Sequence, residues 1–193
     1  MKGGWINLFE LFSVSRQVVI EEGEITLNKQ PVAIFPVSFL GDYILNLKGD
    51  IREERQLYES VKKGMVEFSV SLGEEYQLTS RIFLDRWIKY CGFAGWGKVS
   101  YKIVEKENCG ILSIAGLPLH KYLKDKGVRV PSDPLFEGFI AGSASGTFKS
   151  DIDVIETECI CSGSDVCIYY WGPKEYLKEK FPDRYEKLFG ETK

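Results

Sequence analysis

Near the C-terminal end of this chain, a carboxylate and several thiols share one short run of sequence, formed by Glu156, Cys159, Cys161 and Cys167. Thiolate sulfur and carboxylate oxygen both bind divalent metal ions, so the run is a candidate metal site. Residues 162–165 read Ser-Gly-Ser-Asp, and this turn-forming sequence predicts a hairpin that places Cys159 roughly opposite Cys167. Opposed residues on antiparallel strands have Cβ atoms about 4.5–5.5 Å apart, which allows either a shared metal ion or a disulfide.

The position of Glu156 sets a condition on this site. Residues three apart point to opposite faces of a regular strand, so Glu156 and Cys159 can bind one ion only if the strand bulges or bends. Cys161 lies on the same face as Cys159 and is an alternative ligand. Free buried thiols are a third outcome for the run, and Cys91 and Cys109 are expected to be ordinary small core residues.

Catalytic chemistry is not indicated by the remaining polar residues. His120 is the only histidine, so no Ser-His-Asp or Cys-His arrangement can be supported, and we interpret it as a surface or capping residue. The sequence contains no phosphate-binding loop, nucleotide fingerprint or haem signature. Nothing distinguishes one acid–base pair among the 28 acidic residues. These residues therefore favour a protein that is not an enzyme and leave general acid–base catalysis open.

Composition limits the class of protein. The 193 residues, 44% of them hydrophobic, are enough for one well-buried core. A net charge of -3, without a basic cluster interleaved with aromatic residues, does not indicate nucleic-acid binding. No apolar segment has the length of a signal or a membrane span, so we expect a cytoplasmic protein. The composition, with many Lys and Glu and few Asn, Gln, Met and His, is typical of proteins from thermophiles. Intracellular disulfides do occur in such organisms.

Hydrophobic periodicity predicts the elements of the first half of the chain. An amphipathic helix is predicted over residues 5–12, from Trp5, Leu8, Phe9 and Phe12, and its partner is either this core or another subunit. Residues 16–35 favour a hairpin, and Pro36 opens a helix that ends at Gly49. A second helix begins near Asp50. After Glu59 the pattern fits a strand or a helix, and we choose the helix because its longer pattern continues without a break signal.

The second half alternates helices with pairs of strands. A helix capped by Thr79 or Ser80 ends at Gly92, and the later elements are strands at 99–103 and 111–115, helices at 118–126 and 134–148, strands at 152–161 and 166–171, and a C-terminal helix from Pro173. Helices cluster in the middle while strands come as hairpins. The fold class predicted is therefore α+β, with a mostly antiparallel sheet flanked by helices.

The helix at 134–148 carries glycines four residues apart, Gly138, Gly142 and Gly146. Each glycine costs a helix interior about 1 kcal/mol relative to alanine. Such a bare face indicates close approach by a flat ligand or by another backbone, and close packing on a sheet or partner helix is the simpler interpretation.

Residues 134–171 resemble the 4-vinyl reductase-type domain of archaeal predicted hydrocarbon-binding proteins and of aromatic-responsive bacterial regulators. The resemblance lies in the small-residue helix, in Glu156-x-x-Cys159, in a turn with Gly163 and Asp165, and in Cys167 before an aromatic strand. Weaker matches, at Leu57-Tyr58, Gly64 and Gly95-Trp96-Gly97, extend it to about residue 50. We expect an N-terminal extension at 1–49, the ligand-binding domain at 50–171 and a C-terminal helix at 172–193, packed as one compact unit.

The resemblance implies a helix-flanked sheet, often dimeric, with a structural zinc site below a pocket for a small apolar molecule. Glu156, Cys159 and Cys167 match three zinc ligands of the family, and Asp133 stands where the family has a first Cys. Carboxylate oxygen binds zinc, so these four residues can form a closed site. An Asp directly before Pro134 is equally typical of a helix cap, and both roles stay open.

The same resemblance places aromatic residues around the pocket: Trp87, Phe93, Trp96, Phe136, Phe139 and Phe148. It implies a non-catalytic, homodimeric protein that binds or senses a hydrophobic, hydrocarbon-like or aromatic molecule. One alternative is a reductase of a tetrapyrrole vinyl group, as the family name suggests. Another is a scaffold subunit, since similar folds occur in vesicle-tethering complexes.

Overall fold

The computed structural model describes residues 18–21, 24–27, 30–77, 80–104, 108–129 and 133–190. The chain forms two compact units, Met1–Pro36 and Val37–Lys193. The helix predicted over residues 5–12 lies outside the described residues and stays a prediction, as do the domain limits at residues 49 and 171.

The first unit contains a small antiparallel sheet. Its strands are β1 (Val18–Glu21), β2 (Glu24–Leu27) and β3 (Gln30–Pro31), in the order β1-β2-β3. Val18 pairs with Leu27, and Thr26 pairs with Pro31. The predicted hairpin is present in β1 and β2, and a third short strand extends it.

The second unit is built on an antiparallel sheet with strand order β4-β5-β7-β6, formed by β4 (Lys98–Val104), β5 (Cys109–Ala115), β6 (Asp153–Glu158) and β7 (Val166–Gly172). Leu112 on β5 pairs with Tyr169 on β7, and Tyr169 pairs in turn with Glu156 on β6. Every neighbouring pair is antiparallel. The predicted α+β class with an antiparallel sheet is confirmed.

The helices of the second unit follow the predicted order, as α1 (Val37–Leu47), α2 (Ile51–Tyr76), α3 (Ser80–Phe93), α4 (Pro118–Asp125), α5 (Pro134–Phe148), α6 (Lys174–Lys180) and α7 (Pro182–Phe189). The ambiguous segment after Glu59 belongs to α2, as predicted. The single C-terminal helix predicted from Pro173 is wrong, because it is divided at Phe181. Pro182 causes the break, since proline lacks the N–H that would continue α6. No described helix is both long enough and apolar enough to cross a membrane.

The glycines of α5 allow its backbone to approach α2 closely. A Cβ atom added to Gly138 would lie 2.6 Å from the carbonyl oxygen of Tyr58, and one on Gly146 would lie 2.7 Å from Cβ of Ser69. A Cβ on Gly142 would collide with the carbonyl oxygen of Lys62. Close packing on a partner helix therefore explains the bare face, and α5 is buried along most of its length.

A polar cluster fastens β6 to two helices of this unit. Asp153 at the start of β6 accepts hydrogen bonds from Tyr58 Oη at 2.9 Å and from Tyr185 Oη at 3.1 Å. Lys62 Nζ forms an ion pair with Asp153 at 2.8 Å and with Asp151 at 2.7 Å. Side chains of α2 and α7 thus meet on one carboxylate.

Candidate metal centre

A bulge at the end of β6 brings Glu156 and Cys159 to the same site. The register of β6 against β7 shifts between Glu156 and Glu158, and a 3-10 turn over Ile160–Ser162 follows directly. Gly163 closes the turn with a φ of 104°, a value that glycine adopts without strain. The bend that a shared ion requires is therefore present, and both Glu156 and Cys159 are buried.

The sulfur atoms of Cys159 and Cys167 accept hydrogen bonds from the turn that joins β6 to β7. The amide of Cys161 donates to Sγ of Cys159 at 3.3 Å, and the amide of Ile160 donates to Sγ of Cys167 at 3.5 Å. Amide donors favour the charged form of a thiol, which is the form that binds metal. All five cysteines, Cys91 and Cys109 included, are buried and none is joined in a disulfide, so no disulfide closes the turn.

His120 completes the cluster, although the sequence predicted a surface or capping role for it. That prediction is wrong, because the side chain is 1% exposed. Its Nδ1 lies 2.9 Å from Sγ of Cys167, 3.2 Å from Sγ of Cys159 and 3.4 Å from Oε1 of Glu156. One signal could have located it. His120 shares the apolar face of α4 with Leu123, three residues later, and that face packs inward.

His120, Glu156, Cys159 and Cys167 offer ligand atoms that all lie within 4.8 Å of one another. Tetrahedral zinc, with bonds of about 2.0–2.3 Å, places its ligand atoms about 3.3–3.8 Å apart. The donors fit such an ion with small adjustments of the side chains. Two sulfurs, one imidazole nitrogen and one carboxylate oxygen are also the donor types that zinc binds. The cluster can therefore hold a metal ion.

Asp133 adjoins this cluster and caps α5. Its Oδ1 accepts hydrogen bonds from the amides of Leu135 and Phe136, both at 3.1 Å, and its Oδ2 lies 2.9 Å from Nε2 of His120. The capping role is confirmed. His120, rather than Asp133, is the residue placed beside Glu156 and the two thiols.

Hydrogen bonds and neighbouring charges shift the pKa values of groups in the cluster. Burial lowers the pKa of His120, but hydrogen bonds to Asp133 and Cys159 outweigh burial and raise it to about 11. Hydrogen bonds from Cys161 and Cys167 hold the pKa of Cys159 well below its usual range. Without metal, the site therefore favours an imidazolium beside a Cys159 thiolate.

Glu137 is a further residue of the site that the sequence did not single out. It is 2% exposed on the first turn of α5, and its Oε1 accepts a hydrogen bond from the amide of Glu156 at 2.9 Å. Burial raises the pKa of Glu137 to about 8. Its sequence position could have indicated a role in the site, because it is a charged residue within the otherwise apolar sequence of α5. Glu137 holds the backbone of β6 at the position of a candidate ligand.

Four of the six aromatic residues predicted to line a pocket form one cluster, which we call the aromatic cluster: Trp87, Trp96, Phe136 and Phe139. Ring centroids are 5.4 Å apart for Trp87–Phe139, 5.3 Å for Trp96–Phe136 and 5.7 Å for Phe136–Phe139. Tyr169 of β7 adjoins it, 5.8 Å from Phe136. The cluster therefore joins α3 to α5 and adjoins the sheet.

The other two predicted lining residues do not extend this cluster. Phe148 stacks on Trp171 at 5.2 Å, at the opposite end of α5 from Phe136. The side chain of Phe93 lies outside the described part of the structure, so its role stays a prediction. A crevice of about 460 Å³ lies elsewhere, between α2 and α7, and mainly polar and charged side chains line it.

No family model and no curated protein matches this sequence. Solved structures do match its fold. The phenol-responsive sensory domain of the transcription activator PoxR, solved with phenol, superimposes with a TM-score of 0.72 at 17% identity, covering 95% of this chain and 98% of that domain. A vinyl-4-reductase family protein from Methanocaldococcus jannaschii gives 0.51 at 19% identity, covering 89% of this chain and 97% of that one.

A third match is a trafficking protein particle complex subunit 3 from Naegleria fowleri, covalently bound to palmitic acid. Its TM-score is 0.50 at 12% identity, covering 70% of this chain and 91% of that subunit. At such identities the likeness concerns the fold. The α+β fold is thus shared with a sensory domain and a vinyl-4-reductase family protein, and the resemblance expected from the sequence is confirmed at that level.

Proposed function

We propose that this protein binds a hydrophobic or aromatic small molecule without transforming it, as a sensor or carrier does. The observation that carries the proposal is the aromatic cluster. Its rings come from different elements of one unit, so a flat apolar molecule can replace ring–ring contacts with ring–ligand contacts.

The structural matches support an apolar ligand class. The PoxR domain was solved with phenol, and the trafficking subunit carries palmitic acid. Two proteins with this fold therefore hold molecules that are mainly apolar. The aromatic composition of the cluster favours an aromatic ligand over a long acyl chain, because a flat ring can stack on the side-chain rings or meet them edge to face.

We further propose that a structural zinc ion is bound by His120, Glu156, Cys159 and Cys167. Four protein ligands leave no open position for a substrate, which is the arrangement of structural rather than catalytic zinc. The ion would fasten α4 to the β6–β7 turn. His120 takes the place that the resemblance gave to Asp133.

Native mass spectrometry and solvent extraction first show whether the purified protein retains a ligand. Calorimetry with phenol then tests ligand binding. We expect Phe139→Leu to weaken phenol binding about tenfold, because it removes ring stacking within the aromatic cluster. Phe148→Leu is the matched control, since this ring stacks at the other end of α5. Equal losses in both variants, or no binding by the wild type and no retained ligand, would contradict the proposal.

Elemental analysis tests the metal. We expect about one zinc ion per chain and its loss in Cys159→Ser, because a neutral hydroxyl replaces a thiolate ligand. Cys109→Ser changes another buried cysteine, which lies outside the cluster, and should retain the ion. Wild-type protein without metal would refute the zinc proposal but not ligand binding.

Homodimer formation and cytoplasmic location remain proposals. Exposed apolar side chains on α1, at Val37 and Tyr43, are compatible with a self-association surface. Sedimentation equilibrium over a range of protein concentrations distinguishes a dimer from a monomer.

A further inference from the structure

The two carboxylate oxygens of Asp133 have different partners. Oδ1 accepts hydrogen bonds from the amides of Leu135 and Phe136 at the start of α5, and Oδ2 lies 2.9 Å from Nε2 of His120. Asp133 is 0% exposed and His120 is 1% exposed, so water does not compete for either contact. Both oxygens have fixed partners.

We propose that Asp133 is the positioning residue of the metal centre, which it serves by fixing the tautomer and orientation of His120. This inference rests on the proposed metal site. A carboxylate accepts hydrogen bonds, so Nε2 keeps its proton when a metal ion displaces the proton of Nδ1, and Nδ1 then presents its lone pair to the ion. Nδ1 already lies on the side of the sulfur atoms of Cys159 and Cys167. A histidine held by a carboxylate in this way is a more basic and better oriented ligand.

The same residue connects the metal centre to α5. Phe136, whose amide Asp133 caps, belongs to the aromatic cluster. Glu137 lies one helical turn after Asp133 and accepts a hydrogen bond from the amide of Glu156, another proposed ligand. Two carboxylates at the start of α5 therefore support two ligands of the ion, and the position of this turn is tied to that of the metal.

Asp133→Asn tests the positioning role at nearly constant shape. The amide oxygen of the asparagine can still accept the capping hydrogen bonds at the start of α5, so its NH₂ group faces His120. That group donates to Nε2, so the proton moves to Nδ1 and the ligand atom is blocked. We expect zinc affinity, measured by chelator competition, to fall about 10–100-fold. Asp50→Asn is the matched control, because Asp50 caps α2 through the amides of Arg52 and Glu53, and it should leave affinity unchanged.

The tautomer itself can be measured, since His120 is the only histidine of the chain. At a zinc concentration that just loads the wild type, imidazole ¹⁵N NMR should show Nε2 protonated and Nδ1 unprotonated in the wild type, and Nδ1 protonated in Asp133→Asn, a change that loss of a helix cap would not produce. If that variant fails to fold, Asp133→Ser provides a second test. Serine retains a capping oxygen but loses the contact with His120.

The outcomes separate this inference from the proposal beneath it. If the Asn and Ser variants bind zinc as tightly as the wild type, and the Asn variant keeps the wild-type tautomer, the positioning role is refuted while the metal centre stands. If the wild type binds no zinc, the metal centre is refuted and the positioning role falls with it. Weaker binding in both variants, together with the changed tautomer in the Asn variant, supports the inference.

Discussion

At the scale of single residues, this protein concentrates acidic groups in its interior. Asp133, Glu137, Glu156 and Cys159 are all buried, and His120 lies against three of them. Buried charges are stable only when they are paired, hydrogen-bonded or bound to a metal. In the proposed centre, a divalent cation supplies positive charge where these acidic groups converge. The partly positive start of α5 adds to it, because backbone amides point at Asp133 there.

Asp153 provides a residue-scale test of a partly buried charge away from the proposed metal centre. Asp153→Asn should lower the free energy of unfolding by about 2–4 kcal/mol, because it leaves the partly buried Lys62 without the less exposed of its two partners. Asp151→Asn removes the other partner of Lys62, but Asp151 is 87% exposed, so its loss should cost less than about 1 kcal/mol. Urea denaturation of the two variants measures both values. Equal effects would show that burial does not control the strength of these pairs.

At the scale of elements, the site depends on departures from regular structure. The β6 bulge turns Glu156 and Cys159 toward one point, and α4 is a helix of 8 residues that carries a single candidate ligand. The longer helices α2 and α5 supply none of the four candidate ligands but support them. Their backbones pack closely, which fixes the start of α5 beside the candidate metal centre.

Gly142 tests this close packing. Gly142→Ala should destabilise the fold by about 1–3 kcal/mol, because the added methyl group collides with the carbonyl of Lys62 and with Met65. Gly64→Ala is the matched control in α2, where a methyl group meets nothing within 4 Å. It should stabilise the protein by about 0.5–1 kcal/mol through higher helix propensity. Chemical denaturation gives both values, and stabilisation by both substitutions would contradict close packing.

At the scale of the whole molecule, the proposed metal centre and the aromatic cluster share the first two turns of α5. Asp133 and Glu137 contact His120 and Glu156, two of the proposed ligands, while Phe136 and Phe139 contribute rings. Two sites that hold one element in place affect each other's affinity, and the effect is reciprocal. Zinc occupancy would therefore influence ligand binding without direct contact.

This coupling predicts that removing zinc with a chelator weakens phenol binding about fivefold or more, and that phenol slows zinc loss. Calorimetry on metal-bound and metal-free protein measures the first effect, and zinc release to a coloured chelator measures the second. Circular dichroism should confirm that the metal-free protein remains folded. Identical phenol affinities with and without metal would show that the two sites are independent.

Much of this architecture follows from the sequence by itself. The order of helices and strands is encoded in local hydrophobic periodicity, and the small-residue helix was predicted with its observed limits, Pro134–Phe148. Glu156, Cys159 and Cys167 could be identified because one turn brings them together. The need for a bulge also followed from strand geometry, because side chains alternate between the two faces of a strand.

Only the tertiary structure revealed the parts that depend on distant contacts. His120 joins Cys159 and Cys167 because α4 packs against the β6–β7 turn, and no local pattern encodes that distance. The sequence is equally consistent with Asp133 as a helix cap and as a metal ligand, and only the fold shows that its second oxygen faces Nε2 of His120. Phe148 shares α5 with Phe136 but points its ring at a different partner. Periodicity reports which residues are buried, whereas packing decides what each buried residue meets.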